Sequence, residues 1–519
     1  MTTTDVRLFA YRQGPLRAGL AEQPQVDIAA PTTAGLPPAA ARGAAGRPLP
    51  PGTHRLLAQA RYPQPLTPGA VLPVPPGDLV GHLLVAAFGL QRREPSNRFN
   101  DHRSIASVRS KFPVHVFVSA PDGSSAYLDL YRHALVDLPD AGDAGDAGEA
   151  DGGLGQLLPA PGDLTVVLAA RFSDLPAQYG RLRCALGLLE LGINLRALHI
   201  AADLLGVRAR LRSDAVVTAA AGRLLAGSGP GAWSPPLVVT LHGVGPLAPS
   251  RPLPGAAGPG LPQHEEECAL LRQQAGHASV LEAAEVTAPL AALDCAAAEP
   301  VRGVPDLPTP AADAVRPDWA ETLWNRSAGR APAAVSGFSA RPTVLGGDCL
   351  ADMLAWLGRP APGPLLAEVG RRVRCTVALQ RLAGLPTGRY TLVEGRLDPG
   401  EPDPGLMQRL QDAFGYPLTP ATDCGLRHAN AMWVFSADLD GILDAFGPAG
   451  WSLLQLWCGW ASHGLATASA AHGLFARPAR SFDEFWLQRA MGLPRGEFPV
   501  FTVVCGRSRF AEPMLDLRV

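Results

Sequence analysis

The sequence predicts an α+β protein made of two related copies that pair within one chain. The main observation is an internal repeat: the segment 166–207 returns at 433–474 with a constant offset of 267 residues, and nine of the 42 aligned positions are identical. Roughly four matches are expected by chance in an Ala-, Leu- and Gly-rich chain, so the shared order of elements matters more than the identity. In both segments a hydrophobic strand passes through a Tyr/Phe-Gly corner into a long helix of small residues. Strands that alternate with long buried helices are typical of α+β layers.

The two copies differ in their polar residues. Tyr179 in the first copy aligns with Phe446 in the second, while Gly180 aligns with Gly447. A duplication in which both copies keep the order of helices and strands, but one copy loses polar side chains, indicates a fused dimer with one working site.

Composition places the chain among globular proteins. Its 519 residues are 47% apolar and 18% charged, which suits two to four domains with substantial cores. With a net charge of −2, the chain lacks the excess positive charge expected of a protein that binds nucleic acid or a membrane surface. Eight scattered cysteines without C-x-x-C or zinc spacing predict no metal site and fit a reducing cytoplasm. The N-terminus lacks an apolar signal segment, and polar residues interrupt the apolar stretch 451–475, so we expect neither secretion nor a membrane span.

We predict four segments along the chain: a Pro/Ala-rich N-terminal segment that wraps a partner domain (1–77), copy one (78–225), a Pro/Gly-rich connector with one helix at 264–286 (226–316), and copy two (317–519). In copy one we predict a helix at 78–90, strands at 113–120, 124–131 and 163–172, and a long helix at 180–205. The acidic run 140–153 is interpreted as a solvated loop.

In copy two, helical patterns begin near Asp318 and cover 349–358. Two strands, 374–382 and 388–397, are joined by the turn GLPTG and read as a hairpin. A further strand at MWVFSADL, the long helix 447–472, a short helix at FDEFWLQRAMGLP and a final strand at 498–507 complete the copy.

One polar cluster precedes the strand at 113–120. Its small hydroxyls and cations could donate hydrogen bonds to an anionic or carbonyl-rich ligand at the mouth of that strand. The same pattern also fits an ordinary solvated loop. The candidate residues are Ser107, Arg109, Ser110 and Lys111, the last being the only lysine of the chain.

A second group of candidates lies in copy two. Arg326, Ser327 and Arg330 follow a predicted helix, and Arg507 follows the final buried strand. Arginine with serine suits a phosphate group, although surface charge near a helix end and a strand end gives the same pattern.

The corner before the long helix of copy one supplies a third group. Tyr179 follows Gln178 at this corner, and Glu190 lies eleven residues after the tyrosine on a Leu-rich helix. Tyr179 is a candidate base, although a phenol needs a cationic or hydrogen-bonding environment before it can act as a base at neutral pH. The alternative interpretation is that Tyr179 is an ordinary core residue and Glu190 a half-buried one.

Together these segments resemble the SagB-type azoline dehydrogenases, tandem nitroreductase-like flavoproteins of thiopeptide and other azole-peptide biosynthesis. AQYGRLRCALGLLELG is similar to the family's K-Y-G-x-R-x-Y-R-x-x-L-L-E-x-G segment, and HRSIASVRSKFPVHVFV to the segment that faces the flavin. WNRSAGRAPAAVSGF is similar to the helix start that binds the FMN phosphate, and FDEFWLQRAMGLPRGEFPVFTVVCGR to the terminal segment with its closing Gly-Arg.

The resemblance implies two nitroreductase-like copies, each a central antiparallel sheet flanked by helices, which form an intrachain pseudo-dimer that binds FMN where the copies meet. Copy two would hold the phosphate and copy one the flavin ring, so we expect one FMN per chain. The implied reaction oxidises azolines to azoles on a ribosomally made precursor peptide. The cyclodehydratase of the same pathway is a further candidate partner, and a homodimer is a candidate assembly. Tyr179, Lys111 and Gln178 are the catalytic candidates, and Gln178 stands where the family has lysine. Two alternatives stay open: another FMN or NAD(P)H redox enzyme of this fold, and a non-catalytic pseudo-dimer that binds a peptide or a partner.

Overall fold

The computed structural model describes residues 1–12, 38, 45–66, 74–75, 77–95, 101–138, 160–212, 214–226, 231–253, 269–270, 272–293, 301–307, 316–329, 340–414, 425–511 and 513–519. The acidic run 140–153 and the candidate Arg330 lie outside these residues.

Helices and strands alternate along most of the described chain. The helices are α1 (Thr3–Arg12), α2 (Thr53–Leu57), α3 (Leu79–Phe88), α4 (Leu182–Leu204), α5 (Ala215–Ala226), α6 (Ala278–Thr287), α7 (Trp319–Asn325), α8 (Gly347–Gly358), α9 (Pro364–Arg371), α10 (Leu406–Ala413), α11 (Leu439–Phe446), α12 (Gly450–Ala471) and α13 (Glu484–Ala490). The strands are β1 (Ala45–Pro48), β2 (Leu90–Arg93), β3 (His102–Arg103), β4 (Val114–Ser119), β5 (Ser125–Asp129), β6 (Ala134–Asp137), β7 (Leu164–Ala170), β8 (Arg208–Arg212), β9 (Leu237–His242), β10 (Arg251–Pro252), β11 (Ala340–Arg341), β12 (Arg374–Leu379), β13 (Gly388–Val393), β14 (Arg396–Pro402), β15 (Ala431–Asp438), β16 (Phe475–Ala479), β17 (Glu497–Ser508) and β18 (Leu515–Asp516).

The described strands form two large antiparallel sheets and one small one. The first large sheet has the order β10-β1-β6-β5-β4-β7-β9-β8, and the second has the order β11-β17-β15-β12-β13-β14 with β16 also on β17. We call the first sheet with α3–α6 the first half, and the second sheet with α7–α13 the second half. The first sheet reaches beyond the predicted bounds 78–225, because β1 comes from the N-terminal segment and β9 and β10 come from the connector.

The sequence repeat corresponds to a structural repeat with the same offset. β7, α4 and β8 in the first half match β15, α12 and β16 in the second half, and β8 at 208–212 falls 267 residues before β16 at 475–479. The corner before each long helix is a glycine with positive φ: Gly180 has φ 47° and ψ −129°, and Gly447 has φ 59° and ψ −152°. A Cβ is disfavoured in this region, which explains why the corner keeps glycine in both halves.

The two long helices cross in direct backbone contact. A Cβ on Gly192 would overlap the Leu456 carbonyl oxygen, and a Cβ on Gly459 would overlap the Leu189 carbonyl oxygen. Leu189 and Leu456 are repeat partners, as are Gly192 and Gly459, so each helix makes the same contact with the other. This is the reciprocal pattern of a two-fold interface, formed within one chain.

The chain termini are exchanged between the halves. Helix α1 packs on the second half, where the Phe9 ring meets the Trp451 ring edge-on at 5.6 Å and Arg7 pairs with Asp440 at 2.8 Å. At the other end, β18 pairs with β2 in the small sheet β18-β2-β3, and the Gly52 N–H donates to the Val519 carbonyl at 2.8 Å. Each half is therefore covered partly by residues from the opposite end of the chain.

Helix α4 is long and apolar enough to span a membrane, but 94% of its most apolar stretch is buried inside the protein. Helix α12 is buried along nearly its whole length in the same way. Both helices therefore form the shared core between the two sheets.

Local differences from the sequence predictions lie mainly in turns. The strand predicted at 388–397 is two strands, β13 and β14, because the chain reverses at Glu394-Gly395, both with positive φ. In the connector, the helix predicted at 264–286 is interrupted in its described part by a turn at Gly276, and α6 begins after His277. The hairpin of β12 and β13 follows the predicted turn, with Leu379 opposite Gly388.

The helix crossing generates a stability prediction. Gly192→Ala forces the crossing apart, and we expect it to lower the free energy of unfolding by about 1–3 kcal/mol. Gly222→Ala on α5 is the control, because nothing lies within 4 Å of the added Cβ and alanine favours helix, so we expect no loss. Urea unfolding of both variants measures the difference. Equal stability of the two variants would refute the close crossing.

Candidate functional site

A strained turn in the first half carries the predicted residues Ser107 to Lys111. Arg109, Ser110 and Phe112 have φ values of 50°, 52° and 46°, in the left-handed region that residues other than glycine rarely adopt. The Ser107 hydroxyl accepts from the Phe112 N–H at 2.7 Å, which closes the turn. Strain of this kind persists only where surrounding contacts enforce it, and it is common at functional sites.

Glu190 on α4 accepts hydrogen bonds from the start of the turn. Its Oε1 accepts from the Ser107 hydroxyl at 3.0 Å and from the Val108 N–H at 2.8 Å. The side chain is 4% exposed, and its Oε2 has no hydrogen-bond partner among the described residues. Burial raises the pKa of Glu190 to about 8, against the lowering effect of these two hydrogen bonds and of the Arg103 charge.

The turn also meets the corner before α4. Arg109 lies over the Tyr179 ring with its guanidinium carbon 5.3 Å from the ring centroid. The Gln178 side-chain oxygen, with the amide oriented to suit its neighbours, accepts from both Arg109 terminal nitrogens, one of them at 2.7 Å. Gln178 and Tyr179 thus hold one cation between them, and all three side chains are partly open to solvent.

Lys111 ends the same turn and is half-buried. Burial and then the neighbouring Arg109 charge lower the pKa of the lysine. The turn therefore presents two cations, and the structure groups Ser107, Arg109, Ser110 and Lys111 with Gln178 and Tyr179 on one side of the first half.

Arg326 is a buried cation at the boundary of the halves. It is 4% exposed, its Nη2 donates to the Arg103 carbonyl at 2.9 Å, and its Nε is buried without a hydrogen-bond partner among the described residues. No carboxylate in the described part of the chain forms an ion pair with it. Burial, followed by the charge of Arg92, lowers the pKa of Arg326 to about 9. A desolvated guanidinium without an anion is costly unless a ligand supplies one.

Ser327 and Arg507 lie near opposite edges of β16. The Ser327 carbonyl accepts from the Ala476 N–H at 2.9 Å, and Arg507 on β17 donates through Nη2 to the His472 carbonyl at 3.4 Å. The Arg507 Nε is also buried without a partner among the residues described. Two of the predicted phosphate-binding arginines thus keep unused donors inside the protein.

Arg103 connects the two groups of candidates. Its carbonyl accepts from Arg326 of the second half, and its guanidinium lies 3.9 Å from the centroid of the Phe112 ring, at the end of the strained turn. A cavity of about 20 Å³ behind the turn is lined by Arg103, Phe112 and Asn194, among others, and has room for a single water molecule.

The counterparts of these groups are missing from the opposite half. Glu190 corresponds to Trp457, whose indole packs against Gly370, and helix α9 occupies the place of the turn. Strand pairing aligns Leu241 with Cys505, so Arg507 corresponds to Gly243.

Sequence reasoning missed Arg103 and did not include Glu190 among the candidate site residues. Arg103 lies only four residues before Ser107, but its role depends on a carbonyl contact with Arg326, 223 residues away. Glu190 had a signal, since an acidic residue in a Leu-rich helix needs a partner, but the identity of that partner required the fold.

Comparison with known proteins tests the predicted architecture. No family model and no curated protein matches the chain. Among solved structures, a protein of Anabaena variabilis assigned as a nitroreductase matches with a TM-score of 0.62 and 14% identity, over 98% of this chain and 100% of that chain. The chain has the nitroreductase fold. The predicted α+β class and this fold are therefore confirmed over the whole length.

Two further solved structures match smaller parts of the chain. One, a Ralstonia eutropha protein also assigned as a nitroreductase, has a TM-score of 0.28 and 19% identity over 41% of this chain and 99% of that chain. The other, the E. coli microcin synthetase McbBCD complex with truncated pro-MccB17 bound, has a TM-score of 0.29 and 13% identity over 40% of this chain and 77% of that chain.

Proposed function

We propose that this protein is an FMN-dependent dehydrogenase that oxidises azolines to azoles on a ribosomally made precursor peptide. The family resemblance and the nitroreductase fold support this function, and one site per chain would be assembled from both halves. The observation that carries the proposal is Arg326, a buried cation that has an unused donor and no anion among the described residues, in contact with the segment that leads to the strained turn.

The residues present fit the phosphate of FMN. Arg326 and Arg507 each keep a buried Nε without a partner among the described residues, and Ser327 adds a half-buried hydroxyl. Arginine donors of this kind form charge-assisted hydrogen bonds with phosphate oxygens. We assign the phosphate to these three residues of the second half.

The strained turn fits the flavin ring. Arg109, Ser110 and Lys111 present a hydroxyl and two cations on a partly open face, and a planar carbonyl-bearing ring is a suitable acceptor for such donors. The Ser107 hydroxyl donates to Glu190, so Ser107 shapes the turn rather than donating to the ring. When bound, FMN supplies the oxidant that accepts a hydride from the azoline ring.

Aromatisation also requires removal of a proton from the neighbouring ring carbon. Tyr179 is the candidate group that takes this proton or orients the group that does. Arg109 holds a positive charge against the Tyr179 ring, and Gln178 fixes that guanidinium from the other side. This arrangement supplies a cation where the resembling family has lysine at the position of Gln178, with Lys111 as the second cation of the turn.

The second candidate function is an NAD(P)H-dependent flavin reductase of the same fold. Gln178 favours it, because an amide cannot exchange a proton at neutral pH. Rapid bleaching of the flavin by NADPH in the absence of peptide would support the reductase. Bleaching only with an azoline peptide would support the dehydrogenase. The precursor peptide is the partner that the main proposal requires, and the cyclodehydratase that installs azolines is a further one.

The phosphate assignment predicts a binding defect without loss of stability. Arg326→Met removes a charge-assisted contact worth about 1.5–3 kcal/mol, so we expect FMN affinity to fall at least ~10-fold. The free energy of unfolding of the FMN-free protein should not fall, because the variant also removes an unpaired buried charge. Fluorescence titration and urea unfolding measure the two effects. Arg371→Met is the control, since Arg371 is exposed and Glu368 is its only ion-pair partner among the described residues. Undiminished FMN binding by Arg326→Met would contradict the assignment.

The proton-removal assignment predicts a separate phenotype. Tyr179→Phe removes the phenol but keeps the ring beneath Arg109, so we expect FMN binding to persist and oxidation of a thiazoline peptide to slow by ~10²-fold or more. Mass spectrometry of the peptide follows the two-hydrogen loss. Full activity of this variant would remove Tyr179 from the reaction while leaving the flavin proposal intact.

A further inference from the structure

Glu190 is held in a way that suits a neutral carboxyl. One oxygen accepts both hydrogen bonds from the turn, and the other is buried without a partner among the described residues. A protonated carboxyl carries its proton on one oxygen and accepts at the other, which is the division seen here. The raised pKa of about 8 agrees with this geometry.

The surroundings of Glu190 contain cations but no close ion pair. The ionisable groups on the turn and on the elements packed against α4 are Arg103 at the end of β3, Arg109 and Lys111 on the turn, His82 on α3, His115 on β4 with its partner Asp174, Glu282 and Glu285 on α6, and His463 on α12. Of these, Arg103 acts on the Glu190 pKa, and burial outweighs it. Burial lowers the pKa of His82, which bonds to Thr53 at 2.9 Å, and lowers the pKa of His463 to about 3, so His463 carries no charge near pH 7.

The carboxyl and the strained turn occur together. In the first half Glu190 bonds to Ser107 and Val108, which lie directly before the left-handed residues. In the second half the tryptophan at the corresponding position packs on Gly370 of a regular helix. The turn is thus present where the carboxyl is present, and a helix replaces it where the carboxyl is absent.

We infer that Glu190 is a positioning residue whose neutral carboxyl keeps the Ser107–Lys111 turn in its left-handed form, and that loss of its proton opens the turn and weakens the ligand that the turn holds. The identity of that ligand as FMN rests on the proposed function. Opening follows from the cost of a buried charge, because a turn released to solvent lets water reach the carboxylate.

Binding of FMN as a function of pH tests this inference. The wild-type dissociation constant should be flat from pH 6 to about 8 and then rise by up to tenfold per pH unit, as the bound form must keep the proton. Glu190→Gln mimics the neutral carboxyl, so its dissociation constant should stay flat through this range. Glu368→Gln, a substitution of a partly exposed glutamate on α9, is the matched control and should follow the wild type.

Thermal unfolding of the FMN-free proteins gives an independent readout. The folded-state pKa of Glu190 is raised above its unfolded value, so folding takes up a proton between about pH 4.5 and 8, and wild-type stability falls across that window. The Tm difference between Glu190→Gln and wild type should therefore grow from pH 5 to 8 and level off above it. Ser107→Ala, a variant that keeps Glu190, should weaken FMN binding at every pH. Its FMN affinity should still fall above about pH 8, as in the wild type.

The outcomes separate this inference from the proposed function. Parallel pH profiles for wild type and Glu190→Gln, in both binding and unfolding, would overturn the positioning role even if FMN binds. Absence of FMN binding at every pH, together with divergent unfolding profiles, would overturn the proposed function and support the role of Glu190 in the turn.

Discussion

The close crossing of α4 and α12 is the contact on which the rest of the molecule depends. Gly192 and Gly459 let the two helix backbones touch, and each meets the carbonyl of the other's repeat partner, Leu456 or Leu189. Because repeat partners contact each other, the pseudo-two-fold axis passes through this point. The two sheets and the exchanged termini are arranged around this crossing. So are Glu190 on α4 and its repeat partner Trp457 on α12. A side chain at either glycine would separate the halves and change the spacing of every group between them.

The two halves share this symmetric arrangement but keep different sets of polar residues. The first half keeps Tyr179, the strained turn and Glu190, and the second half replaces them with Phe446, helix α9 and Trp457. The second half keeps Arg326 and also Arg507, for which the first half has Gly243. Trp457 is buried and its indole meets the Phe435 ring edge-on, so an aromatic side chain fills this position. Only one of the two equivalent boundaries then combines the cations of one half with the turn of the other.

Local patterning allowed much of the fold to be predicted. Apolar periodicity located α4, α12 and the strands before them, and the constant offset between 166–207 and 433–474 reflects elements of matched length. The exchange of β18 onto β2 could not be predicted, because strands of two residues carry no periodic signal. The same limit applies to the site. Residues 107–111 were recognised by their chemistry, whereas the bond from Ser107 to Glu190 spans 83 residues and depends on how α4 passes behind the turn.

We propose that the duplicated fold retains one flavin site per chain, built from complementary parts of two. The stoichiometry of FMN bound to purified protein tests this asymmetry, by flavin absorbance after release from a known amount of chain. We expect a value near one FMN per chain. A value near two would show that both boundaries bind flavin and would contradict the asymmetry, and a colourless protein that takes up no added FMN would contradict the site altogether.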